Sequence, residues 1–323
     1  MAFEMPVEKW AAGVTEATLG ATAAEGGTRT STVVVGGETT LPFLSFEGAT
    51  PHRTALAMEV SDIPLVDPAA PLAAALGEVM DDPAAWARKC VDEWGADLVC
   101  LRLLGAEPEG ANKSPDECAA VVKAVLGAVG VPLIIWGCSD DARNNDMLPA
   151  VSQAAAGERC VLASATKDNY RTIAACAIAD GHLVLSEAPL DIAIQKQVNI
   201  QLTDMNVPTD RILMYQTTGG LGYGIEYAYS IMERTRLAAL GGDKMMQMPT
   251  LAVVGRETWK VKESRLPAAE APEWGEAERR AILWEASTAT LLIHAGVDIL
   301  VMWHPEAVRI TRETIQELTG EGA

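Results

Sequence analysis

Residues 132–188 read PLIIWGCSDDARNNDMLPAVSQAAAGERCVLASATKDNYRTIAACAIADGHLVLSEA. Three short apolar runs punctuate this stretch: Pro132–Ser139, Cys160–Thr166 and His182–Ala188. Helix-like segments separate them. Short runs that are apolar almost throughout fit strands covered on both faces, as in a parallel sheet wrapped in helices. The alternation continues upstream to Thr54–Ser61 and Ala96–Leu103. Downstream it reaches Ile212–Thr218, Met245–Val253 and Ile299–His304. Eight strand–helix repeats over residues 54–323 predict a (β/α)8 TIM barrel, whose chemistry belongs to the loops at the C-terminal ends of its strands.

Residues 1–53 stand outside the repeat. Glu8–Thr22 reads as a short helix. Thr30–Gly36 and Thr40–Phe46 read as strands joined at Gly36-Gly37-Glu38, a β-hairpin placed to plug the bottom of the barrel. Within the repeat, Ser114-Pro115-Asp116-Glu117 is a capping box with proline at the first helical position. The stripe Cys118, Val121, Val122, Val125, Leu126, Val129 follows with helical period, Gly130 ends it, and Pro132 opens the next strand. Residues 255–275, GRETWKVKESRLPAAEAPEWG, form a long polar loop after the seventh strand. Loops of that length in compact domains usually serve as lids or partner contacts.

The chain has 323 residues, 49% of them hydrophobic, which suits one barrel-sized domain with an N-terminal addition. Its apolar runs stop well short of the roughly 18 residues of a membrane span. MAFEMPVEKW lacks the charged and apolar regions of a signal peptide. The net charge of −19 argues against nucleic acid and anionic membranes as partners. The six cysteines, Cys90, Cys100, Cys118, Cys138, Cys160 and Cys176, include no C-x-x-C pair. That spacing does not suit a zinc ribbon or an iron–sulfur cluster, and the set reads as reduced thiols of a cytoplasmic protein.

The strand ends present Asp62, Arg102, Gly137-Cys138-Ser139-Asp140-Asp141, Thr166-Lys167-Asp168-Asn169, Ser186-Glu187, Gln216-Thr217-Thr218-Gly219-Gly220, Thr250, Arg256 and Trp303-His304. This ring is rich in neutral donors and acceptors and contains no Ser/His/Asp triad, so it suits a large polar ligand better than covalent catalysis. Lys167 is the candidate for a Schiff-base lyase, against the plainer reading of a solvated or capping lysine. Asp140 and Asp141 read as a helix-entry charge pair rather than an acid/base pair. Asp180-Gly181-His182 begins like the D-x-H-x-x-G cobalt-ligand motif, but Leu185 stands where its glycine is required. The four histidines are scattered, and His304, at the end of the eighth strand, is kept as a ligand contact. Gly219-Gly220-Leu221-Gly222-Tyr223-Gly224 does not match G-x-G-x-x-G, because Ile225 occupies the last position. It offers a strand-to-helix turn that a flat ligand can approach closely.

The run GGLGYGIEYAYSIMERTRLAALGGDKMMQMP (219–249) resembles the small subunit of the corrinoid/iron–sulfur protein, the delta subunit family of acetyl-CoA decarbonylase/synthase. So do GGTRTSTVVVGGETTLPF (26–43), GADLVCLRL (95–103), AVGVPLIIWGCSD (128–140), PLDIAIQKQVNI (189–200), WGEAERRAILWEASTA (274–289) and HPEAV (304–308). The resemblance implies a barrel related to pterin-binding methyltransferases, in a heterodimer with a larger subunit that carries a [4Fe–4S] cluster and a corrinoid domain. It implies that the corrinoid is shared between that subunit and the top of this barrel, and that this chain holds no iron–sulfur cluster. The methyl group would pass from methyltetrahydrofolate or a methanopterin relative, through a methyltransferase, to cobalt and on to acetyl-CoA synthase. The expected corrinoid contacts are Ser139, Asp140, Thr166, Asn169, Gln216, Thr217, Thr218, Gly219, Gly220, Arg256 and His304. No catalytic residue and no metal ligand is expected. Gln216, Thr217 and Thr218 stand where a pterin-binding relative would carry an acidic residue, and neutral groups suit the amide side chains of a corrinoid. Alternative readings on the same barrel are a catalytic methyltetrahydrofolate:corrinoid methyltransferase, a lyase using Lys167, and a purely structural subunit.

Overall fold

The computed structural model describes residues 4–320. Two strands, β1 (Ala17–Leu19) and β2 (Val33–Val35), pair antiparallel ahead of the barrel. The barrel strands are β3 (Ala55–Ser61), β4 (Leu98–Arg102), β5 (Leu133–Trp136), β6 (Val161–Ala165), β7 (Leu183–Ala188), β8 (Ile212–Gln216), β9 (Thr250–Val253) and β10 (Ile299–Met302). They run parallel in sequence order, and β10 returns to pair with β3 through Ile299↔Ala55 to Met302↔Met58. The helices are α1 (Ala70–Leu76), α2 (Pro83–Asp92), α3 (Pro115–Ala128), α4 (Asp141–Ala154), α5 (Tyr170–Asp180), α6 (Ile192–Asp204), α7 (Ile225–Leu240), α8 (Gly255–Thr258), α9 (Lys262–Arg265), α10 (Ala277–His294) and α11 (Pro305–Thr319). The eight-stranded barrel with a two-stranded β unit before it is the architecture expected from the sequence.

Alternation of side chains along each strand divides the apolar residues into two cores. One lies between the sheet and its helices and holds residues such as Leu56, Val99, Ile135 and Leu300. The other fills the barrel, each strand giving two side chains, from Ala55 and Ala57 on β3 to Ile299 and Val301 on β10. Ala17, Leu19 and Val35 of the β unit belong to this inner cluster. The third inward position on several strands is polar: Glu59, Arg102 and Glu187 follow Ala57, Cys100 and Leu185. The barrel is therefore apolar at its base and charged at its mouth.

The N-terminal region departs from expectation in detail. No helix forms over Glu8–Thr22, and Val33–Val35 pairs with Ala17–Leu19 instead of Thr40–Phe46. Gly36 and Gly37 have φ of 90° and 82°, but they do not reverse the chain: beyond β2 it runs on beside Val14, which donates to Glu38 O and accepts from Gly37 N. The segment beyond them cannot fold back as a strand: Pro42 lacks an N–H, and Phe43 has φ of 62°. Two buried arginines fasten this region to the barrel. Arg29 donates from Nε to Glu158 at 2.8 Å, and from its terminal nitrogens to the carbonyls of Val129 and Leu126. Arg236 on α7 bridges Glu38 of the extension at 3.2 Å and Asp298 at 3.4 Å, and Asp298 in turn accepts from Thr250 N at the start of β9. The capping box on α3 forms as expected, with Ser114 and Glu117 exchanging hydrogen bonds. The long segment 255–275 is a correction in kind: α8 and α9 fold there, and Arg280 of α10 donates to the carbonyls of Glu263 and Leu266.

Glu38 generates a pH dependence. Burial and the neighbouring Asp298 charge push its carboxyl well above the ordinary range. The folded chain keeps a proton that the unfolded chain releases, so this contribution to stability is full below the ordinary glutamate value of 4.5, shrinks as pH rises above it, and is gone once pH passes the folded value of about 9. The melting temperature should fall on going from about pH 6 to about pH 9, and Glu38→Gln should flatten that fall. Parallel curves for the two proteins would show that Glu38 titrates normally.

Candidate functional site

Glu59 organises the mouth. Its side chain is 1% exposed, and it accepts from Arg102 Nε at 3.2 Å and Arg256 Nη2 at 2.6 Å. Burial alone would raise its carboxyl, but the two guanidinium charges outweigh burial and hold it below the usual range. Each arginine also lies on an indole: Arg102 over Trp136 at 3.7 Å, Arg256 over Trp303 at 5.5 Å. Trp136 meets Tyr215 edge-on at 5.2 Å. Glu187 faces the same space and accepts a short hydrogen bond from Ser164. Burial pushes Glu187 up, against the Ser164 bond and the Arg102 charge.

The rim is built by loops that cap helices. Asp140 caps α4 by accepting from Arg143 N, and Ser139 donates to Glu107 from its backbone and hydroxyl. Thr166 Oγ1 and Asn169 Nδ2 both donate to Asp141, at 3.0 and 2.9 Å. Lys167 is exposed on that loop, away from the barrel interior. The glycine turn folds tightly: a side chain on Gly219 would strike the Gly224 carbonyl, with a Cβ placed 2.4 Å from its oxygen. Trp284 and Thr288 of α10 pin it, Trp284 donating to Leu221 O at 2.7 Å and Thr288 accepting from Leu221 N at 3.2 Å. Tyr223 projects from its tip, 77% exposed.

Of the eleven expected contacts, Ser139, Asp140 and Thr217 are exposed at the rim, and Thr166, Gly219 and Arg256 are half-buried there. The others face elsewhere. Gln216 ends β8 on its outer face and exchanges hydrogen bonds with Thr235 of α7. Thr218 accepts from Val253 N and is 3% exposed. Asn169 is buried in the loop it braces, and Gly220 backs onto Glu257 and Val261. His304 is not at the surface: it caps α11 by accepting from Glu306 N and stacks on Trp259 at 5.6 Å. Burial pushes it down to about 4, so it is neutral near pH 7. His304 and Trp303 both donate backbone N–H groups to Glu285, a fully buried carboxylate that burial raises to about 7. Trp259 donates to the same carboxylate, tying the end of α8 to α10 and to the end of β10.

Glu59 and Glu285 were not singled out from the sequence, although Glu59 is the one charged residue in the run Thr54–Ser61. An isolated charge in a doubly buried strand must have partners, and that was the available signal. Among the described residues, no three His, Cys, Asp or Glu side chains converge as a metal site would require. No helix there is long and apolar enough to cross a membrane.

Comparison with known proteins completes the picture. A family described as CO dehydrogenase/acetyl-CoA synthase delta subunit matches residues 16–310. The acetyl-CoA decarbonylase/synthase complex subunit delta of Archaeoglobus fulgidus is 39% identical, covering 99% of this chain and 71% of that protein. Those of Methanosarcina mazei and Methanothermobacter thermautotrophicus are also 39% identical, covering 97% and 99% of this chain and 72% and 79% of theirs. Among solved structures, the dihydropteroate synthase of Xanthomonas albilineans in complex with 7,8-dihydropteroate superimposes with a TM-score of 0.56 at 16% identity, covering 85% of this chain and 96% of that one. That of Coxiella burnetii gives 0.54 at 16%, covering 87% and 99%. At such identities the likeness is one of fold.

Removing the Glu59 charge should loosen the mouth. Glu59→Gln leaves two guanidinium groups without their counter-charge, and breaking a buried pair from one side typically costs about 3–5 kcal/mol. Denaturant unfolding should report a loss of that order, and near-ultraviolet circular dichroism should register the freed Trp136 and Trp303. A variant as stable as the parent would mean that Glu59 does not hold the mouth.

Proposed function

The chain belongs to the CO dehydrogenase/acetyl-CoA synthase delta subunit family, and from that premise we propose that it is a cytoplasmic, corrinoid-covering subunit acting in methyl transfer. In this reading it pairs with a larger subunit that holds the corrinoid and an iron–sulfur cluster. A methyltransferase and acetyl-CoA synthase are transient partners. The observation that carries the reading is the character of the mouth. Its exposed groups include the hydroxyls of Ser139 and Thr217, backbone and a tight glycine turn, with the charges of Asp140 and Lys167 out on the rim loops, and the deepest carboxylate, Glu59, is matched by Arg102 and Arg256.

These residues fit a large amide-bearing macrocycle. Thr217 brings an exposed hydroxyl that can both donate and accept, its proton resting on the Ala188 carbonyl at 3.3 Å. At Gly219 the turn presents backbone where any side chain would collide with Gly224. The corrinoid, when bound, supplies cobalt that accepts and releases the methyl group. The chain's own residues orient the ring by its edge and exclude water from the space above it. No side chain at the mouth has the arrangement of a nucleophile with its base. Lys167 lies out on the rim, which weighs against the Schiff-base alternative. The methyltransferase alternative would place methyltetrahydrofolate directly in this mouth, and folate binding by the isolated chain would favour it.

Co-expression with the large subunit should give one joint peak on size-exclusion chromatography, with an interface of roughly 2,000 Å² or more. The isolated chain should contain neither stoichiometric iron nor sulfide. Separate elution at micromolar concentration, or a cluster in the isolated chain, would sink the reading.

Loss of the exposed Thr217 hydroxyl should weaken corrinoid retention by the heterodimer by about 0.5–1.5 kcal/mol, the usual net worth of one neutral hydrogen bond. Thr218→Val should instead act on stability, because that hydroxyl serves Val253. Equilibrium dialysis and thermal melts distinguish the two effects, and an unchanged affinity in Thr217→Val would count against contact at this turn.

A further inference from the structure

Two polar side chains at the floor of the mouth have hydrogen-bonding capacity left over. Arg102 donates from Nε to Glu59 and lies over Trp136 at 3.7 Å; the Cys100 thiol is beside it, and neither of its terminal nitrogens has an oxygen acceptor among the described residues. Glu187 accepts from Ser164 through Oε2, and its Oε1 has no donor among the described residues. Packed rings connect the two: Arg102 lies over Trp136 at 3.7 Å, Trp136 meets Tyr215 at 5.2 Å, and Tyr215 stands beside Glu187 in the β7–β8 register. A free donor fork and a free carboxylate oxygen thus share one half-buried space.

The charge of this layer limits what can enter. Glu59, Glu187, Arg102 and Arg256 sum to zero formal charge, and the carboxylates of Asp141 on α4 and Glu257 on α8 act on them from outside. A ligand group with a net charge would unbalance a partly desolvated set, while an apolar group would leave the donors and the acceptor unpaired. A group that accepts at one atom, donates at the next and carries no charge meets both demands. A primary carboxamide is such a group.

We propose that Arg102 and Glu187 form a carboxamide clamp. The guanidinium donates to the amide oxygen, and Glu187 Oε1 accepts from the amide nitrogen. The clamp rests on the corrinoid-covering reading and deepens it: a corrinoid ring carries primary carboxamides around its edge, and one of them enters the mouth while the ring lies across the rim. It assigns a ligand contact to two residues at the ends of β4 and β7. Ser164 holds Glu187 in place, and Glu59 with Trp136 holds Arg102.

The test compares the heterodimer loaded with cobalamin against the heterodimer loaded with each cobalamin monocarboxylic acid, in which one peripheral amide is hydrolysed. Retention is read from corrinoid absorbance after gel filtration, with the large subunit alone as reference. One regioisomer should be held about tenfold or more weakly than cobalamin, because its carboxylate meets Glu187. The large subunit alone should not make that distinction. Glu187→Gln, whose side-chain amide donates, should narrow the gap several-fold at an unchanged melting temperature. Equal retention of all the acids by the wild-type heterodimer would overturn the clamp and leave the covering reading standing, as would a gap that persists in Glu187→Gln. Retention that is the same with and without this chain would overturn the covering reading itself. If Glu187→Gln does not assemble, the comparison among the acids in the wild-type heterodimer decides.

Discussion

A single buried carboxylate sets the terms for the open end of this barrel. Glu59 sits at the third inward position of β3, directly above two apolar layers, where an unpaired charge would be prohibitive. It is kept ionised by Arg102 from the next strand and by Arg256 from α8. Each arginine then lies on a tryptophan, so one charge fixes two cations and two indoles. The segment after β9 cannot wander while Arg256 is held, and Glu285 secures its far end through Trp259. The rim loops rest on this platform.

The barrel was legible in the sequence because strands buried on both faces leave uninterrupted apolar runs, and helices between them leave caps and stripes. The same double burial hid much of the site. A strand with one wet face announces which residues point inward; a strand such as Ile212–Gln216, apolar on both sides, does not. Gln216, Thr217 and Thr218 therefore looked equivalent, although the pleat turns Thr217 toward the mouth and the other two away. His304 looked like a contact because it ends a strand, but the following helix needed a cap. In the N-terminal region the error had another source. The partner of Val33–Val35 lies 14 residues upstream of Val33, at Leu19, across a connection with no strand signal of its own. Local turn chemistry pointed to the wrong neighbour.

The two ends of the molecule use buried charge differently. At the base, Arg29 and Arg236 each satisfy carbonyls and carboxylates from separate elements and leave little unspent. They act as fasteners, and the apolar layer beside them includes three side chains of the β unit. At the mouth, the arginines are restrained by one carboxylate and keep donors free. A chain with net charge of −19 thus carries a mouth whose deepest acid, Glu59, is matched by two arginines.

Glu59 and Arg256 are separated by 197 positions. On the ribosome, the carboxylate is made early and its second counter-ion late. A nascent chain that ends before α8 has Glu59 with Arg102 alone, and it lacks β10, the strand that closes the ring against β3. Barrel closure and completion of the mouth thus both wait until α8 and β10 have been made. Chains that end before α8 display no finished recess.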